Sequence, residues 1–129
     1  MPTTYPYDEI DVFIIMPVRG ITDDERKYID SHIESLKQQG KKVYVPLYHT
    51  DQNDPIGFRI CTDNMNAIRD AKEVHIYFNP DSQGTLFDTG MMFALGKPLR
   101  LINREYVKPT PTKSFANVLL ALDEKYKGQ

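Results

Sequence analysis

Two hydrophobic periods alternate along this chain, and that alternation leaves it few architectures. "DVFIIMP" (11–17) is an apolar run ending at a proline and reads as a strand buried on both faces. "KVYVP" (42–46), "EVHIYF" (73–78) and "PLRLI" (98–102) read as three more short strands. After each strand the apolar residues recur at helical spacing. In "TDDERKYIDSHIESLKQQG" (22–40), Thr22 and Glu25 have capping-box spacing, Ile29, Ile33 and Leu36 form one stripe, and Gly40 terminates it. A second helix is expected over about 55–70, with Phe58, Cys61, Met65 and Ile68 inward. A third runs from about Thr85 to Leu95 and is stopped by Gly96-Lys97-Pro98. A fourth covers 114–126, with Phe115, Val118, Leu119 and Leu122 inward. Residues 1–10 are a polar, aromatic-bearing arm that Tyr5 and Tyr7 are placed to dock, with the site at the strand ends as one docking place, and 47–55 and 103–113 read as loops.

The order βαβαβαβα implies a parallel sheet with right-handed crossovers and helices on both faces. In such folds a ligand binds at the carboxyl ends of the strands, near the reversal of strand order. At 129 residues, one domain over 1–129 is expected, with no repeat or linker. Apolar residues at 40% and charged residues at 26% fit a soluble globular protein. A net charge of -2 without long charged runs gives no footprint for nucleic acid. Cys61 is the only cysteine, which rules out an internal disulfide and a cysteine-based metal cluster. No cofactor or metal is expected, and no histidine pair has metal-ligand spacing. The start lacks the features of a signal peptide and no apolar run is long enough for a membrane, so a cytoplasmic setting is expected.

Three segments fall at the strand ends. "MPVRG" follows the first strand, where Met16 and Pro17 lead to Arg19, a possible partner for an anion, and Gly20, which lets a backbone approach closely. His49 lies in the loop after the second strand. "NPDSQGTLFDTG" (79–90) follows the third, where Ser82, Gly84 and Thr85 open a helix whose N–H groups and dipole favour a phosphate or carboxylate. The competing reading makes Arg19 a solvated arginine and Gly84 a turn glycine. Asp88 falls about the fourth residue of that helix, where the dipole would keep a carboxylate ionised. It either complements the dipole or, beside an anion site, attacks an electrophilic carbon. On the second helix Asp63 is spaced for a surface ion pair with Arg59, and Asn64 sits at the edge of the expected buried face.

"MPVRG", "DNMNAIRDA" and "DSQGTLFDTGMMFALGKPL" together resemble the nucleoside 2-deoxyribosyltransferase family, which includes N-hydrolases of 2-deoxynucleoside 5-monophosphates. The resemblance covers roughly 11–103. It implies a flavodoxin-like three-layer sandwich with a parallel sheet of four to five strands. It also implies cleavage of an N-glycosidic bond by a helix-borne carboxylate. That nucleophile corresponds to Asp88, the second carboxylate to Asn64 with Asp63 adjacent, and the 5-phosphate site to Arg19, Gly20, Ser82 and Gly84. The family uses glutamate at the position of Asp88, one methylene longer, a difference of about 1.5 Å. A misplacement of about 1 Å can cost on the order of a hundredfold in rate. Asp63 would project about 100° away from Asn64 around the helix axis. Both departures fall on the chemical half of the site and neither on the phosphate half. The resemblance implies a nucleoside or nucleotide as the small-molecule partner, and a homodimer or higher homo-oligomer.

The expected function is therefore a nucleoside 2-deoxyribosyltransferase-like enzyme cleaving or exchanging the N-glycosidic bond of a (deoxy)nucleoside or its 5-monophosphate. The alternative is a non-catalytic nucleotide-binding protein, a sensor or sponge, on the same fold. A flavodoxin or phosphoacceptor domain fits poorly, because "MPVRG" is neither hydroxyl-rich nor acidic.

Overall fold

The structure, a computed structural model, describes residues 5–127, so residues 1–4 of the expected arm lie outside the described residues. Its strands are β1 (Ile10–Ile15), β2 (Val43–Tyr44), β3 (Ala71–Ile76) and β4 (Leu99–Leu101). Its helices are α1 (Asp23–Gln38), α2 (Pro46–His49), α3 (Phe58–Asp70), α4 (Gln83–Ala94) and α5 (Phe115–Tyr126), with a 3-10 turn at Arg104–Tyr106. The four strands form one parallel sheet in the order β2-β1-β3-β4. In the register, Phe13 stands beside Tyr44 and Val74, and Ile76 beside Ile15 and Leu101. This is the flavodoxin-like α/β arrangement, with the order reversing between β1 and β3.

Each face of the sheet has its own core. Phe13, Ile15, Val74 and Ile76 pack with Ala67 and Ile68 of α3, Met92 of α4 and Leu119 of α5. Val12 and Ile14 pack with Ile29, Ile33 and Leu36 of α1 on the opposite face. The expected α1 stripe is thus buried, and Thr22 and Glu25 form the reciprocal capping box. Among the described residues, no helix is long and apolar enough to cross a membrane.

Several local expectations are corrected. A helical turn, α2, opens the segment expected as loop 47–55. Pro46 takes its first position, where a missing N–H costs nothing, and the Val45 N–H donates to His49 Nδ1 at 2.9 Å. Helix α3 starts later than expected, after Gly57 at φ 92, and the Asp54 carboxylate accepts the Arg59 and Ile60 N–H groups. Its inward face is Asn64, Ala67 and Ile68, while Phe58 is 78% exposed. On α5, Phe115 and Val118 are exposed, while Leu119 and Asp123 are buried. Asp123 is inward because it has a task there. Its Oδ1 accepts the Leu101 N–H of edge strand β4 at 2.8 Å, and its other oxygen pairs with Arg104.

Helix α4 also starts before Thr85. Ser82 caps it, with Oγ accepting the Thr85 N–H at 3.2 Å. Buried Asn103 anchors the end of β3, since its Oδ1 accepts the Phe78 N–H and its Nδ2 donates to the Phe78 carbonyl, both at 2.9 Å. The loop entering α4 therefore springs from a fixed strand end.

Candidate active site

A cavity of about 800 Å³ opens where the strand order reverses, at the carboxyl ends of β1 and β3. Met16, Val18 and Arg19 line it from the segment after β1. Ser82, Gln83, Gly84, Phe87 and Asp88 line it from the start of α4. Asp54, Ile56, Ile60, Cys61 and Asn64 close the third side from α3 and the loop before it.

The expected site residues divide between this cavity and elsewhere. Met16, Arg19, Asn64, Ser82, Gly84 and Asp88 meet there. Pro17 and Gly20, at φ 76, shape the β1 loop without lining the cavity. Asp63 is turned away and pairs with Arg59 at 2.8 Å. His49 accepts the Val45 N–H, and its ring packs against Tyr5 and Tyr44, so the arm docks there rather than over the cavity. Thr85 is fully buried behind the helix face, and its N–H is committed to Ser82.

Asp88 is the sixth residue of α4, in its second turn, and only 8% exposed. The helix dipole fades within one turn, so it does not dominate the carboxyl as the sequence suggested. Burial instead pushes Asp88 up to about 7, against the lowering pull of Asn64, whose Nδ2 donates to Asp88 Oδ2 at 3.3 Å. Near neutral pH the group is thus divided between acid and carboxylate. Burial also pushes the Cys61 thiol up, aided by the charges of Asp88 and Asp54, which keeps it a protonated wall residue.

Behind Asn64 lies a polar chain that hydrophobic periodicity did not reveal. Thr50 Oγ1 donates to Asn64 Oδ1 at 2.8 Å, and Tyr44 OH meets Thr50 Oγ1 at 2.7 Å. Toward the cavity mouth, Arg19 is exposed and makes no hydrogen bond or ion pair among the described residues. It is the one cationic side chain on the described lining, which otherwise carries Asp54, Asp81 and Asp88. Among the described residues, no group of three or more His, Cys, Asp or Glu side chains is arranged to hold a metal ion.

No family model matches this chain, and no curated protein matches it. A solved structure of a 2-deoxyribosyltransferase from the psychrotolerant bacterium Bacillus psychrosaccharolyticus, a biocatalyst for nucleoside synthesis, shares the fold with a TM-score of 0.59. The two chains are 19% identical, and the match covers 70% of each.

Proposed function

We propose that the chain is a nucleoside 2-deoxyribosyltransferase-like enzyme that cleaves or exchanges the N-glycosidic bond of a nucleoside or deoxynucleoside, or of its 5-monophosphate. The observation that carries this reading is the meeting of buried Asp88, the unpaired Arg19 guanidinium and the N-terminus of α4 in one cavity. In this reading Arg19 and the N–H groups of Gln83 and Gly84 hold the phosphate. Gly84 supports it. Its φ is not positive and a Cβ there meets nothing within 4 Å, so neither backbone strain nor packing demands a glycine. The open space there leaves room for a ligand to lie close over the helix start.

The ionised Asp88 oxygen attacks the anomeric carbon as the C–N bond breaks, and the bonding pair leaves with the base, which takes a proton from solvent. The resulting ester is opened by water, giving hydrolysis, or by a second base, giving exchange. Either route restores the carboxylate. Asn64 steadies the carboxylate but cannot serve as the acid. Because attack needs the ionised form, the rate rises with pH through about 7.

Incubation with a panel of nucleosides and nucleoside monophosphates, followed by chromatography, tests this reading. Free base is expected, with none after Asp88→Ala; unchanged release in that variant refutes the assigned role. The second reading, nucleotide binding without turnover, draws support from the amide at Asn64 where the resembled family carries a carboxylate. It predicts thermal stabilisation by a nucleotide and no product.

A homodimer or larger assembly belongs to the same proposal. Ile56 (89% exposed), Phe58 (78%) and Phe87 (57%) stand at or beside the cavity mouth, an apolar rim that a second copy would cover. Sedimentation velocity of the parent and of Phe58→Ser is the check, with dissociation expected in the variant.

A further inference from the structure

Thr50 lies in a segment that reads as ordinary polar loop, yet it is 1% exposed and its hydroxyl touches two buried polar side chains. With the Asn64 amide oriented as in the structure, counting protons gives the direction of the chain. Thr50 has one hydroxyl proton, and it goes to Asn64 Oδ1. Its lone pair then accepts the Tyr44 proton, and Asn64 turns its NH₂ group to Asp88.

The reversed chain is poorer at one end. With Asn64 turned over, its Nδ2 donates to Thr50 Oγ1, Thr50 donates to Tyr44, and the Tyr44 proton has no acceptor among the described residues. Tyr44 is 8% exposed, and burial holds its phenol protonated, so that proton cannot simply be given up. An Asn64 carbonyl facing Asp88 could bond only the protonated acid, whereas the NH₂ group bonds the carboxylate.

We propose that Thr50 is a positioning residue of this site: loaded from behind by Tyr44, its hydroxyl fixes the Asn64 carboxamide with the NH₂ group toward Asp88, the orientation that favours the ionised carboxylate. The proposal rests on the assignment of Asp88 to the chemistry, but its test does not require turnover. The other titratable groups lining the Asp88 cavity are Cys61 on α3, Asp54 before α3, Arg19 after β1 and Asp81 before α4, and none of them touches Thr50. Asp63, beside Asn64 in sequence, is held by Arg59.

The experiment is an NMR titration of the ligand-free protein, following the Asp88 carboxyl carbon and the Asn64 side-chain amide. In the parent, the Asn64 amide moves with the Asp88 midpoint. Thr50→Val, which keeps the shape and removes the hydroxyl, raises that midpoint by about 1 pH unit, the scale of a lost hydrogen bond to a charge. Thr50→Ser returns it to the parent value, and Tyr44→Phe raises it by less than Thr50→Val. An Asn64 amide that stays flat through the Asp88 transition overturns the proposal in the parent alone, whether or not Thr50→Val folds. An unchanged midpoint in folded Thr50→Val overturns it as well. Base release by the parent with a flat Asn64 amide would remove Thr50's role and leave the enzyme assignment standing. Where base is released, the pH profile of kcat is expected to move with the midpoint in Thr50→Val and to recover in Thr50→Ser.

Discussion

A carboxyl group titrating near neutrality inside a protein is costly to ionise, and Asp88 should reveal that cost. Its pKa is raised from 3.8 in the unfolded chain to about 7 by burial, so the folded state binds the proton more tightly. The stability this contributes is complete below about pH 4, falls as pH rises, and is lost above about 7. Asp88→Asn removes the dependence. It should melt above the parent at pH 8, by up to about 4 kcal/mol, and the two should converge near pH 4. Thermal denaturation of both proteins from pH 4 to 8 is the measurement. Arg19 should behave oppositely, because it has no partner among the described residues to lose. Arg19→Ala should leave the ligand-free Tm unchanged and weaken monophosphate binding by about 10- to 100-fold, with little effect on the parent nucleoside. Titration calorimetry with the two ligands separates these outcomes. Asp88 attracts notice in the sequence as a carboxylate on a helix that should be packing, and Arg19 and Gly84 because they fall at strand ends where an anion could bind. Thr50 and Tyr44 do not, because a threonine in a polar loop and a tyrosine in a strand are ordinary until a neighbour gives them a proton to pass.

The inward faces of two helices differ from their apolar periodicity for one shared reason. Helices α3 and α5 each turn a polar residue inward, Asn64 and Asp123, so the truly buried faces look interrupted and the neighbouring apolar faces look better. Apolar spacing alone places Phe58, Phe115 and Val118 inward, and they are exposed in the fold. The α1 stripe, with no inward polar residue, is buried as its spacing implies, and the four strands and four long helices alternate as expected, with the short α2 and the 3-10 turn as the additions. A helix start is also a physical object with a measurable worth. Ser82→Ala should lower stability by about 1 kcal/mol, and Ser82→Gly by less, as read from urea midpoints at constant m. Asp123→Ala should cost more, about 1–3 kcal/mol, because it strands the buried Leu101 N–H and removes one of the two acidic partners of Arg104.

At the scale of the whole molecule, the cavity gathers segments from three places in the chain. One wall belongs to the β1 loop and another to the start of α4. A ligand spanning Arg19 and Gly84 would tie them directly. At a concentration 100-fold above Kd it should stabilise the fold by about 2.7 kcal/mol, a Tm rise on the order of 10 °C, readable by thermal shift with each nucleotide. The parallel sheet and the strand-end location of the cavity were legible in the chain. The strand order, and with it which loops face each other, was not, because long-range pairing leaves no local mark in a sequence.

The carboxylate that Asp123 lays along β4 has a consequence for the protein in bulk. A sheet grows by lending its outermost backbone groups to another chain, and here one border is stoppered by a side chain while the other, β2, is only two residues long. Concentrated solutions should therefore be slow to seed fibres. Such copies as gather should do so through helices and the rings at their surface, in assemblies that dilution reverses.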